Sequence, residues 1–278
     1  MTKDEKRMSI CSLIRKAIIS ALIITGACTS SMAAKKPKLD EFAQLGFVNI
    51  DHHTPKGVNS IRLQGLRESA MSLGARGALA WRATHINATL EHSEERLNQI
   101  FNFRALLIDN KILPPILTKN GPSIATTDRS VLRTSQTSYR LIQPARFVTT
   151  APTWRDYLIM NFKKPSVPDS SLAPKNKAEV DAWNYYLRVG WNQGIEQANT
   201  IFSVNLNRLT RDFNGMILYR ILLAKNMVLA PHMATADLGI TGDSNHIRVG
   251  DRIYRITANS SLQTNSQLWS PIIVNQRS

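Results

Sequence analysis

The chain has 278 residues, with 35 Lys and Arg against 20 Asp and Glu, and a formal net charge of +15. Its 43% hydrophobic and 20% charged residues, with 13 Gly and 12 Pro, exclude global disorder and collagen-like or low-complexity chains. The only cysteines, Cys11 and Cys28, lie near the N-terminus, which excludes both a disulfide framework and a cysteine-based zinc site.

The N-terminal segment reads as a bacterial export signal. Lys3, Lys6, Arg7, Arg15 and Lys16 precede an apolar run from Ala17 to Ile24, which leads through Thr25, Gly26 and Ala27 to Cys28. The run is about half the roughly 20 residues of a spanning helix, so cleavage is expected rather than a permanent transmembrane anchor. Two cleavage chemistries compete. In a lipoprotein signal the cysteine thiol is acylated and the chain is cut before it, which requires the small residues that Gly26 and Ala27 supply; Thr25 departs from the Leu usual there. The other is a cut after Ala33, where Ser31-Met32-Ala33 has a small-x-small pattern. Acylation accounts for the single cysteine, which would otherwise be a lone thiol in an oxidising compartment. Lipidation at Cys28 is therefore expected, with residues 1–27 as signal peptide. Their removal takes away five basic and two acidic residues and leaves +12 on 251 residues. Thr29, rather than Asp, after the cysteine points to the outer membrane.

Residues 28–58 begin Ser-, Ala- and Lys-rich and read as a flexible tether. Residues 59–278 read as one folded domain of α+β class, mainly helical. Leu66, Ala70, Leu73, Gly77 and Ala80 recur at three and four, predicting helix over about 60–110 with a break near His92-Ser93. Ala70, Gly74 and Ala78 form a ridge of small residues that admits another element closely, or else a hinge. The stretch from Leu113 to Pro174 is proline-rich and reads as loops and short elements. Asn176 with Glu179 resembles a capping box and starts a second helical region over about 176–226, with an irregularity at Gly190 to Gly194. Beyond it Ile195, Ala198, Phe202, Leu206, Leu209, Phe213 and Met216 make one apolar face, with Arg208 and Arg211 off it. After Pro231, alternating runs at 246–249 and 252–257 joined by Gly250-Asp251 predict a β-hairpin.

Enzyme signatures are missing: the sequence contains no G-x-S-x-G, S-x-x-K, H-E-x-x-H, G-x-G-x-x-G or P-loop. No cofactor or metal is expected. His52-His53 after Asp51 reads more plainly as an exposed loop than as ligands. Glu94-Glu95 and Asp156 could serve acid/base chemistry in a wall-cleaving enzyme, but adjacent carboxylates at a helix start are more often dipole partners. Two segments join aromatics to arginines, Trp81-Arg82 and Trp154-Arg155. That pairing suits a protein interface or single-stranded nucleic acid, and equally a core Trp beside a surface-paired Arg.

These segments resemble the DotC family, the lipoprotein of type IVB secretion systems and of related IncI-type plasmid conjugation machines. The matching stretches are Leu73–Arg82, Ile100–Arg104, Leu113–Pro115, Phe147–Thr150 with Trp154–Leu158, Gly190-Trp191, Gln197–Phe202, Arg211–Arg220 and Leu238–Gly242, in order along most of the chain after the tether. The resemblance implies an outer-membrane lipoprotein, lipid-anchored on the periplasmic face, and a structural part of the core complex. Its implied partners are a DotD-like lipoprotein and a DotH-like secretin component, whose placement at the outer membrane it supports. It implies no catalytic residues, and no small-molecule substrate or nucleic acid is expected. The rival readings are a periplasmic enzyme acting on the cell wall and a nucleic-acid-binding module.

Overall fold

The computed structural model describes residues 60–128, 131–166, 169 and 172–270; the signal segment, Cys28 and the tether lie outside the described residues. The class is α+β. Helices α1 (Ser60–His92) and α2 (Glu94–Ile100) are followed by six short strands: β1 (Ile112–Leu113), β2 (Ile116–Asn120), β3 (Ser123–Asp128), β4 (Val131–Ser135), β5 (Ser138–Gln143) and β6 (Arg146–Phe147). Then come α3 (Trp154–Leu158), the 48-residue α4 (Lys177–Ala224), and strands β7 (His232–Asp243) and β8 (His246–Ala258). The described residues form two compact units, one from 60–97 with 155–207 and the other from 98–154 with 208–270; α4 supplies residues to both.

In the first unit, α1 and the N-terminal part of α4 pack through small residues. A side chain added at Gly74 would meet the backbone of Leu187 and Trp191, one at Gly190 the carbonyl of Met71, and one at Gly194 the carbonyl of Ala75. The small-residue ridge on α1 thus does admit a second helix. The irregularity expected at Gly190 to Gly194 is absent, because these glycines are contact surface inside a continuous helix rather than breaks in it. Leu66, Ala70, Leu73, Trp183 and Leu187 close into a core beside the contact. Asn176 caps α4 as expected: its Oδ1 accepts from Glu179 N at 2.8 Å. Glu179 reaches back to Lys175 N at 2.8 Å and takes Arg62 Nε at 2.6 Å and Nη2 at 2.9 Å.

The break at Ser93 is where the sequence puts it, but the second helix stops at Ile100 rather than near 110. Asn102 ends it locally, its Oδ1 accepting from Ala105 N at 3.2 Å and holding a 3-10 turn over Arg104–Leu106, and Asp109 and Asn110 then take left-handed φ of 50° and 55°. Such φ values end helices and favour Asn and Asp among non-glycine residues.

In the second unit the proline-rich middle is a nested antiparallel ribbon, β1 with β6, β2 with β5 and β3 with β4. Pro114-Pro115, Pro122 and Pro144 sit between strands, where a missing N–H costs no ladder bond. Ile116 and Leu117 lie against Gly215 of α4, with Cγ2 of Ile116 2.6 Å from where a Cβ at 215 would be. Leu117, Leu218, Tyr219, Leu222 and Val228 form the core there. The expected apolar face of α4 is buried over Ala198, Phe202, Leu206, Leu209, Phe213 and Met216, with Arg208 and Arg211 exposed.

The C-terminal hairpin exists but is longer than the sequence suggests, and its turn lies elsewhere. β7 pairs with β8 over their whole length, and the turn is Ser244-Asn245, held by Asp243 Oδ1 accepting from Asn245 N at 2.8 Å and His246 N at 3.0 Å. Gly250-Asp251 lies inside β8. There Gly250 (φ +70°) faces a matching irregularity at Gly239 (φ +68°), so both strands bulge together.

Candidate functional site

The Trp81-Arg82 pair belongs to the first unit. The half-buried Trp81 ring lies 5.9 Å from that of Trp191 and 4.1 Å from His85, and Arg82 Nε donates to Asn199 Oδ1 at 2.9 Å. Burial pushes the Arg82 guanidinium pKa down. Three of the resembling stretches, Leu73–Arg82, Gly190-Trp191 and Gln197–Phe202, therefore meet in one helix–helix contact. Their small, aromatic and amide residues are explained locally by packing.

Arg155 pairs with Glu94 at 2.7 Å, each side chain about two-fifths exposed (40% and 44%). Glu94 and Glu95 occupy the first turn of α2, where carboxylates complement the helix dipole. Among the described residues no group of three or more His, Cys, Asp and Glu is placed to hold a metal ion, and no helix is long and apolar enough to cross a membrane.

Trp154 lies in the second unit and is 1% exposed; its Nε1 donates to Asn98 Oδ1 at 2.7 Å. A buried indole needs such a partner. The bond fixes the back of a cleft of about 630 Å³, between the chain after α2 and the segment leading into α3. Phe101 and Phe103 share that back wall, both edge-on to Phe213 with ring centroids at 5.4 and 5.1 Å. The front is polar: Asn102, Arg104 and Asn110 on one side, and Thr149, Thr150 and Thr153 on the other. No carboxylate, imidazole or thiol is among its lining residues.

The cleft thus joins two further resembling stretches, Ile100–Arg104 and Phe147–Thr150 with Trp154, and Arg211–Arg220 supports them through Phe213. Its groups hydrogen-bond, but none is a base or a nucleophile matched to a base. Sequence reading singles out Trp154 but not Asn98 or Asn102. An asparagine beside a helix end carries no signal of its own, and only the neighbouring aromatic spacing, Phe101 and Phe103, marks the place.

No curated protein matches the chain closely enough to count as a relative. The TraI family, described as type IV secretory system, conjugal DNA-protein transfer, matches residues 60–271. That span holds both units and every stretch just described, so the chain belongs to this type IV secretion and conjugal-transfer family.

Proposed function

We propose that the chain is an outer-membrane lipoprotein and a structural component of the core complex in a type IVB-like secretion or conjugation apparatus. In this role it supports placement of a secretin-like subunit, together with a second, DotD-like lipoprotein. The observation that carries the reading is the family match over residues 60–271. The ordered DotC-like stretches support its finer part, as does the basic, then apolar, then small-residue run ending at Cys28. Several acyl chains on Cys28, at about 0.8 kcal/mol per buried methylene, would hold the chain on a bilayer far more firmly than a single one.

The test is Cys28→Ala in the native cell, with membrane fractionation and intact mass. The expected result is an acylated wild-type chain beginning at Cys28 that co-purifies with the core complex. The variant is expected to leave the outer-membrane fraction or to keep its signal. An unmodified wild-type chain beginning at Ala34 would overturn the anchor, and a chain purifying apart from the other subunits would overturn the structural role.

A further inference from the structure

We propose that the cleft behind Arg104 and Thr149–Thr150 binds an extended, acidic segment of a partner subunit. The inference rests on the preceding reading only in placing the chain within a multi-subunit apparatus; it does not need the lipid anchor.

Several donors in the lining have no partner among the described residues. The Arg104 guanidinium is exposed and has no partner among the described residues. Asn102 spends its Oδ1 on Ala105 N, which leaves its amide nitrogen to donate. The backbone N–H groups of Thr149, Thr150 and Ala151 make no hydrogen bond among the described residues. Val148 N, just before them, is bonded to Lys111 O at 2.9 Å, and Pro152, just after them, has no N–H. Among the described residues the result is three consecutive unbonded amides beside one unpaired guanidinium, with no carboxylate in the lining. Consecutive amides attract anions and acceptor groups, and an arginine supplies a bidentate, charge-assisted site for a carboxylate.

Charge at larger scale favours the same ligand. Among the described residues, 98–154 with 208–270 carry 13 basic and 6 acidic residues, a net +7, whereas 60–97 with 155–207 carry 11 and 9, a net +2. The excess lies in the unit that holds the cleft. A volume of about 630 Å³ accommodates a few residues of chain rather than a helix. Phe147, 39% exposed and two residues before Thr149, offers an apolar contact for a neighbouring side chain. An extended peptide uses these features together, its carbonyls on the free amides and an acidic side chain on Arg104. Single-stranded nucleic acid is the poorer match, because Phe101, Phe103 and Trp154 are 6%, 1% and 1% exposed and leave Phe147 alone beside the cleft where successive bases need a series of stacking faces.

The experiment places p-benzoylphenylalanine at Phe147, and separately at Thr149, in the full-length chain in its native cell. Photolysis is followed by mass spectrometric identification of the joined peptide. Both positions are expected to reach the same Asp- or Glu-containing segment of another subunit. Arg104→Glu is expected to lower the cross-link yield about tenfold or more, and Arg104→Gln by less, at unchanged protein level and far-ultraviolet circular dichroism. Cross-links to lipid, to DNA or to a second copy of this chain would overturn the inference, as would absent cross-links or a yield indifferent to both Arg104 variants. If the chain still co-purifies with the apparatus, such a result sinks this inference alone. Failure to co-purify sinks the structural role instead.

Discussion

Glu179 is 4% exposed and would be costly to bury as a bare charge, yet it accepts two bonds from Arg62 and one from Lys175 N. The Arg62 hydrogen bond, outweighing the opposing effect of burial, holds its carboxyl below the usual 4.5. A depressed carboxylate contributes stability that is fully present above the unfolded value and is lost as pH falls through the folded one. Glu179→Gln keeps the shape of the cap and removes the charge. Its melting temperature is expected to lie below wild type at pH 7, with the gap closing as pH drops below about 4. A gap that stays constant down to pH 2 would show that the ion pair contributes nothing. Phe213 gives a contrasting case in the other unit. It is 4% exposed between Phe101 and Phe103, and Phe213→Ala is expected to cost about 3 to 5 kcal/mol in a denaturant titration and to loosen the back wall of the cleft. Arg155→Ala removes a solvent-exposed pair with Glu94, the two side chains 40% and 44% exposed, so protein level and melting temperature are expected to stay near wild type.

At the scale of elements, the two long helices were legible because their apolar positions recur at three and four, and their core faces match that reading from Leu66 to Ala80 and from Ala198 to Met216. Glycine is ambiguous. Gly190 and Gly194 look like helix breakers in one dimension, and only the partner helix shows that they make room for backbone. This leads to a test in which one substitution changes sign with position. Gly to Ala in a free helix gains up to about 1 kcal/mol. At Gly65, where a new Cβ would meet only Leu172 Cδ2 at 3.9 Å, Gly65→Ala is expected to raise the melting temperature. At Gly190 or Gly194, where the Cβ would collide with a carbonyl of α1, the same change is expected to lower it. Equal effects at Gly65 and Gly190 would contradict the close approach. The position of the hairpin turn is hidden for a related reason: Gly250-Asp251 has turn chemistry, but Gly239 across the ladder absorbs the same distortion, and no local pattern shows that the two pair. The short strands between 112 and 147 escaped because each is only two to six residues long and is punctuated by proline, so no alternation builds up.

For the whole molecule, the +15 of the sequence conceals where the charge lies. Among the described residues, the unit with net +7 is assembled from two stretches, 98–154 and 208–270, that interleave along the chain with the stretches of the near-neutral unit. Reading in order averages them, and the asymmetry emerges only when residues are grouped by fold. A surface of this kind attracts acidic partners or lipid phosphates over about 10 Å at 0.1 M salt and over about 3 Å at 1 M. Co-purification of other subunits with this chain is therefore expected to weaken steadily as salt rises. The loss should also track the basic unit. Arg140→Gln with Arg146→Gln, both exposed there, is expected to lower recovery at low salt and flatten its salt dependence, whereas Arg76→Gln with Arg188→Gln in the other unit should leave both unchanged. Equal responses from the two pairs would mean that net charge, rather than its placement, governs association. Recovery indifferent to molar salt would mean that buried apolar contact holds the subunits together and that the basic surface faces no partner.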